Sequence, residues 1–213
     1  MNLENKNASH LMRDGNFLPI SEDFYTLQGE GEYSGKAAYF IRLAGCNVKC
    51  AWCDSKNSWD ASLFPLISIS DIVDKVMQTS TDTVIITGGE PLMHNLDLLC
   101  EKLHENKLKI FLETSGSSEY SGSFDWICLS PKKNKHPLQS IYKKASEIKI
   151  VISNSQDFQW AEENASKVSN NCMLFLQPEW SQRENIIPII IEYIKNNPKW
   201  RLSIQSHKYI NIP

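Results

Sequence analysis

Seven short apolar runs recur along this chain, each closed by a polar turn, and that rhythm constrains the fold more than any other feature. The runs span residues 39–43, 83–87, 109–113, 125–129, 148–152, 172–176 and 201–204, and each has the length and apolar content of a strand. Helical patterns lie between several of them. Ile69, Ile72, Val73 and Val76 share one face, with Ser70 as the expected N-cap; Leu96, Leu99 and Leu103 share another; Ile187, Ile190, Ile191 and Ile194 mark a third. Strands alternating with helices predict an α/β domain with a mainly parallel sheet, whose ligands collect at the carboxyl ends of the strands. The unusual polar residues do cluster just after the strands, as Gly45-Cys46, Gly88-Gly89-Glu90-Pro91, Thr114-Ser115-Gly116, Ser130-Pro131-Lys132, Gln177-Pro178 and Gln205-Ser206-His207-Lys208. Only residues 114–123 join the third and fourth runs, too few for an ordinary helical crossover. The expected architecture is therefore an incomplete, contracted (β/α) barrel.

The chain has 213 residues and a net charge of −3, from 22 basic and 25 acidic side chains. That suits a single domain spanning 1–213, with an N-terminal extension of about 20 residues expected to be poorly ordered. The charge balance disfavours binding along a nucleic-acid backbone. No apolar run reaches membrane-span length, since residues 186–191 are interrupted by Pro188, and MNLENKNASH lacks the apolar stretch of a secretory signal. The expected location is the cytoplasm.

Three of the six cysteines crowd into Cys46, Cys50 and Cys53, a C-x3-C-x2-C loop directly after a strand, while Cys100, Cys128 and Cys172 stand singly in apolar stretches and read as core. Such crowding points to metal chemistry in a reducing compartment. A four-iron, four-sulfide cubane has four corners, so three thiolates leave one iron open to a coordinating small molecule. Zinc is the alternative, but it wants a fourth ligand at short spacing, and the nearest histidines are the remote His10 and His94.

C-x3-C-x2-C followed by a strand ending in Gly-Gly-Glu-Pro resembles the radical S-adenosylmethionine enzymes. Within that superfamily, Phe24-Tyr-Thr-Leu-Gln-Gly-Glu-Gly31, Cys53-Asp-Ser55, Ser130-Pro-Lys132 and Ser206-His-Lys208 are similar to the 7-carboxy-7-deazaguanine synthases, from about residue 20 to the C-terminus. The resemblance implies a radical SAM fold and conversion of 6-carboxy-5,6,7,8-tetrahydropterin into 7-carboxy-7-deazaguanine with loss of ammonia, on the way to queuosine and related deazapurines. It implies that a 5′-deoxyadenosyl radical takes a hydrogen from the pterin carbon bearing the carboxylate, and that the hydrogen returns after ring contraction.

The same resemblance makes Cys46, Cys50 and Cys53 the ligands of a [4Fe-4S] cluster, with Trp52, Cys53 and Asp54 beside S-adenosylmethionine. Gly89 and Glu90 fall at the methionine amine, Ser130, Pro131 and Lys132 at the nucleoside or carboxylate, and Gln177, Pro178 and Glu179 at the adenine. Leu27, Gln28, Gly29, Glu30, Arg42, Thr87, His207 and the terminal Pro213 match substrate-binding positions. Ser55 stands where the family commonly has a threonine that donates its hydroxyl to Mg²⁺. A homodimer and a flavodoxin- or ferredoxin-type electron donor are further implications. The residues suit these tasks physically: Gln and Glu can read paired donors and acceptors on a flat heterocycle, and Arg can clamp a carboxylate bidentately.

Two other functions fit part of the pattern. A glycyl-radical activase uses the same cluster logic, but it should lack the Gln-Gly-Glu-Gly segment and the basic tail. A zinc-stabilised interaction module would bind zinc and contain no acid-labile sulfide.

Overall fold

Alternation along the strands sorts a single sheet into two unlike faces. In the strand Glu147–Ile152, Ile148, Ile150 and Ile152 are fully buried among apolar side chains, while Lys149 and Val151 line a cavity on the other side. In Lys109–Thr114 the same alternation buries Ile110 and Leu112 on the apolar side and turns Phe111 and Glu113 the other way. The computed structural model describes residues 14–213. Its strands are β1 Phe17–Leu27, β2 Ala37–Leu43, β3 Leu66–Ser68, β4 Thr83–Gly88, β5 Lys109–Thr114, β6 Trp126–Leu129, β7 Glu147–Ile152, β8 Met173–Pro178 and β9 Trp200–Leu202. They form one sheet in the order β3-β1-β2-β4-β5-β6-β7-β8-β9, parallel from β2 onward and antiparallel where β1 pairs with β2 and β3. β3 and β9 remain edges, so the barrel is incomplete.

The helices are α1 Ile69–Met77, α2 Asp97–Glu105, α3 Gln139–Tyr142, α4 Asp157–Ala165, α5 Arg183–Asn196 and α6 Ser206–Ile210. Ile69, Ile72, Val73 and Val76 of α1 and Leu99, Cys100 and Leu103 of α2 join the isoleucines of the sheet in the main core. Residues 115–125, between β5 and β6, contain no helix, as the short spacing predicts.

Several local expectations are corrected. Ser68, not Ser70, caps α1: its Oγ accepts from the Asp71 amide at 3.2 Å, because the helix already begins at Ile69. On α5 the buried stripe is Ile186 and Ile190, with Tyr193 and Ile194 packed beside them, and Ile191 is 41% exposed. The run Ile186-Ile187 with Ile189-Ile190-Ile191 offers two overlapping stripes about one residue apart, which periodicity alone does not separate. β1 and β3 were not anticipated, because Pro19, Glu22 and Asp23 interrupt the apolar pattern of β1. Residues 17–20 of the expected N-terminal extension are part of β1, while residues 1–13, including His10, lie outside the described residues.

The loop after β1 floors the half-barrel. It turns back on itself through Gln28 N to Lys36 O at 2.8 Å and Gly35 N to Gln28 O at 2.7 Å. Tyr33 then lies against Phe111 and Trp126, with ring centroids 4.5 and 4.9 Å apart; each such pair adds about 0.5–1.5 kcal/mol beyond area burial. The loop also spans the open side of the sheet. Gly31 N donates to Ser203 Oγ at 3.0 Å, Ser206 N donates to Gly29 O at 2.9 Å, and Glu32 pairs with Arg201. Gly31 has φ +65°, and a Cβ there would lie 2.3 Å from Glu147 Oε1, so this crossing needs glycine.

Candidate active site

The turn after β2 is stapled to the turn after β4. Gly89 N donates to Leu43 O at 2.9 Å and Glu90 N to Gly45 O at 2.8 Å. The approach is so close that a Cβ on Gly89 would sit 2.2 Å from Gly45 O, which accounts for the paired glycines of Gly88-Gly89. On the other side, Gly45 N donates to Ser58 O and Cys46 N to Trp59 O, while Asn134 Nδ2 donates to Val48 O at 2.5 Å. His94 is mostly buried and donates from Nε2 to Ala44 O at 2.8 Å. Its pKa is lowered by burial, which outweighs the opposing bond to Ala44.

This scaffold presents Cys46, Cys50 and Cys53 to one cavity of about 370 Å³, and none of the three is in a disulfide. Burial raises the Cys50 pKa, against the pull of the Lys132 ammonium, and burial lowers that of Lys132. Three free thiols on one wall, with a cation beside them, fit a cluster ligated through three corners. Among the described residues no group of three or more His, Cys, Asp and Glu side chains is gathered to hold a single metal ion. His94, the nearby candidate for a fourth zinc ligand, already gives Nε2 to a backbone carbonyl.

The structure brings nearly all the residues singled out in the sequence to this cavity. Leu27, Gln28, Gly29, Glu30, Arg42, Trp52, Asp54, Ser55, Thr87, Gly89, Ser130, Lys132, Gln177, Pro178, Glu179, His207 and Pro213 line it together with the three cysteines. Glu90 and Pro131 do not. Glu90 is fully buried, and its carboxylate is consumed by hydrogen bonds from Leu92 N, Thr114 Oγ1, Ser115 N and Ser115 Oγ. It fixes the turn after β5 rather than facing a ligand.

Gln205, in the polar segment expected after the last strand, also lines the cavity, and so do Glu113 and Lys149, which no motif marks. Lys149 Nζ donates to Glu30 Oε2 at 2.5 Å and to Glu113 Oε2 at 2.9 Å; Gln28 Nε2 reaches Glu113 Oε1 at 3.1 Å, and Gln205 Nε2 reaches Glu30 Oε1 at 2.8 Å. Burial would raise the Glu30 carboxyl, but the Lys149 ammonium, helped by Gln205, holds it down at about 2. Burial would likewise depress Lys149, yet Cys128, Glu113 and Glu30 drive it well above the ordinary lysine value. Glu147 lies below them with its carboxyl raised by burial, which Lys149 only partly offsets. A signal for Glu113 and Lys149 did exist. Each is a charge among apolar neighbours, at the alternate position facing away from the helices, in a strand whose other charge, Lys109 or Glu147, stands at its first residue.

The rim is closed by the C-terminal segment. Lys208 Nζ donates to Asp54 Oδ2 at 2.8 Å and to Gln205 Oε1 at 3.0 Å. Partial desolvation by the cavity wall would raise the Asp54 carboxyl, but the Lys208 ammonium lowers it on balance. Trp180, also on the cavity wall, lies under both Lys208 and Arg183. A Cβ on Gly29 would lie 2.1 Å from His207 Nδ1, so the glycine admits that ring. Burial lowers the His207 pKa against the opposing effect of Glu30.

Residues 40–125 match the Radical SAM superfamily, a class whose chemistry three free cysteines at the mouth of a half-barrel fit. The chain is 50% identical over 199 residues to a 7-carboxy-7-deazaguanine synthase of Flavobacterium psychrophilum, covering 93% of this chain and 94% of the relative. It is 36% identical to the enzyme of that name from Escherichia coli strain K12, over 91% of this chain and 98% of the other. The crystal structure of QueE from Escherichia coli superposes with a TM-score of 0.81 at 31% identity, covering 93% of this chain and 98% of that one. The chain belongs to the 7-carboxy-7-deazaguanine synthase family of radical SAM enzymes.

Proposed function

We propose that this chain contracts 6-carboxy-5,6,7,8-tetrahydropterin to 7-carboxy-7-deazaguanine, releasing ammonia, in the biosynthesis of queuosine and related deazapurines. The observation that carries this reading is one cavity holding three free thiols at its mouth and a floor of paired carboxylates and amides. When bound, the [4Fe-4S] cluster and S-adenosylmethionine supply the 5′-deoxyadenosyl radical that removes and later returns a substrate hydrogen.

In this reading Cys46, Cys50 and Cys53 hold the cluster. Gly89 fronts the methionine end of the cofactor, and Glu90 works one layer behind, through Thr114 and Ser115. Ser130 and Lys132, with Pro131 shaping the turn, face the nucleoside and carboxylate, and Gln177, Pro178 and Glu179 take the adenine. Trp52 and Asp54 flank the same cofactor. Gln28 and Glu30 read the amide and amine of the pterin edge, Leu27, Gly29 and Thr87 set its plane, and Arg42, His207 and the Pro213 carboxylate address its polar substituents. Ser55, on the cavity wall, would offer a neutral hydroxyl oxygen to Mg²⁺, a hard cation suited to oxygen donors. The working form is a cytoplasmic homodimer of one domain per chain, reduced by a flavodoxin- or ferredoxin-type donor.

The test is anaerobic reconstitution with iron and sulfide, then incubation with S-adenosylmethionine, reductant and the carboxypterin, with mass detection of the deazapurine. Product is expected from the wild-type chain and none from Cys50→Ala. Full turnover by Cys50→Ala sinks the cluster assignment, and zinc without acid-labile sulfide sinks the reading as a whole.

A further inference from the structure

Three charged side chains from distant parts of the chain meet on the floor of the cavity. Glu30 comes from the loop after β1, Glu113 from β5 and Lys149 from β7; both carboxylates reach the same Nζ, at 2.5 and 2.9 Å. Their Oε2 atoms therefore cannot be farther apart than those two bonds placed end to end. Two partly buried carboxylates that close repel unless a cation stands between them. The lysine side chain is only 5% exposed, so solvent cannot substitute for it. The remaining oxygen of each carboxylate is held by an amide, Gln205 on Glu30 and Gln28 on Glu113.

We propose that Lys149 is the positioning residue of the substrate pocket: its ammonium holds the Glu30 and Glu113 carboxylates side by side as an acceptor pair for the N–H groups of a flat aminopyrimidine edge. This deepens the proposed function and rests on it. A lysine suits the task because its compact ammonium can bridge two carboxylates and still leave their outward lone pairs to a ligand. The ligand class follows from the charge. Two carboxylates and one ammonium leave an anionic floor that favours a donor-rich edge and disfavours a second anion. An anionic substituent would lie toward Arg42, His207 and Lys132, which line the same cavity.

Without the ammonium the two carboxylates would share a proton, and one acceptor would become a donor facing the ligand's own donors. The groups facing this cluster are Cys128 on β6, Glu147 on β7, Lys132 after β6, and His207 and Asp54 at the rim. Only the loss of Lys149 removes the charge lying between the pair.

The experiment measures carboxypterin affinity calorimetrically, and steady-state kcat and KM, from pH 5.5 to 8 with anaerobically reconstituted wild type, Lys149→Met and Lys149→Gln. Losing one partner of a buried charge network is expected to weaken substrate binding by at least about thirtyfold at pH 7. Iron content should be unchanged, and kcat should fall less than KM rises. In both variants affinity should improve as pH rises and the shared proton leaves, a slope that wild type lacks. The glutamine variant keeps a hydrogen-bonding group but no charge, so near-wild-type, pH-independent binding by it would overturn the proposal, as would equal losses in iron content and affinity. If neither variant folds, carbon-13 NMR of Glu-labelled wild type decides: the Glu30 carboxyl should not titrate between pH 5 and 8, and a midpoint in that range overturns the proposal. Failure of wild type to make deazapurine would sink the functional reading, while the Glu30 titration would still report on Lys149.

Discussion

The two faces of β5 and β7 differ by a single residue step and do opposite work. Ile110, Leu112, Ile148 and Ile150 are fully buried against the helices, and their neighbours Glu113 and Lys149 look into the cavity. The apolar face stabilises the sheet by removing hydrocarbon from water. The polar face holds charges that are tolerable only because each meets an opposite charge or an amide. Stability and ligand recognition are thus interleaved along the same strands, and a substitution on one face should leave the other face's property largely intact.

The largest effect expected is on the apolar side. Leu112→Ala should cost about 2–5 kcal/mol in denaturant unfolding, with the folded fraction keeping its carboxypterin affinity. Glu113→Gln, one position along, should lose less stability, because Lys149 keeps Glu30, while weakening carboxypterin binding at least about tenfold. Equal stability losses, or unchanged binding by Glu113→Gln, would break the division between the faces.

A sharper contrast lies within the polar floor, between Glu30 and Glu147. The folded-state pKa of Glu30, about 2, lies below its ordinary 4.5, so its stabilising contribution is complete above about pH 4.5 and is lost as pH falls toward 2. Glu147 is shifted upward from 4.5, so the folded chain keeps a proton that the unfolded chain gives up. It therefore removes stability as pH rises from 4.5 through its folded value. Urea unfolding across this range should show wild type declining relative to Glu147→Gln with increasing pH, and parallel curves would refute the assignment.

The smallest effect belongs to the rim. Asp54 is paired with Lys208 but its side chain is 61% exposed, so Asp54→Asn should change stability by less than about 1 kcal/mol and be insensitive to added salt once the pair is gone. A larger loss would mean that this contact, and not the floor, ties the C-terminal segment to the cysteine loop.

Much of this was legible in the residues. The seven apolar runs are strands β2 and β4 through β9, and the helix-free crossover follows from its length. β1 escaped because Pro19, Glu22 and Asp23 break its apolar pattern, although the strand pairs with β3 through residues 17–19 and with β2 beyond them. Motif spacing found the cysteine loop and the glycine turn because both are local. The same spacing placed Glu90 beside a ligand, whereas Thr114, Ser115 and Leu92 claim its carboxylate.

The strand rhythm, the three-thiol loop and the turns that follow each strand are local, set by neighbours within a few positions, and so can be read along the chain. Which charges meet is set by folding. Glu30 and Lys149 stand 119 residues apart, and nothing in either one's neighbourhood names the other. Their contact exists because the loop after β1 folds under a sheet that leaves one face open. That low-dielectric floor makes the pairing of charges obligatory, and no reading of residues along the chain contains it.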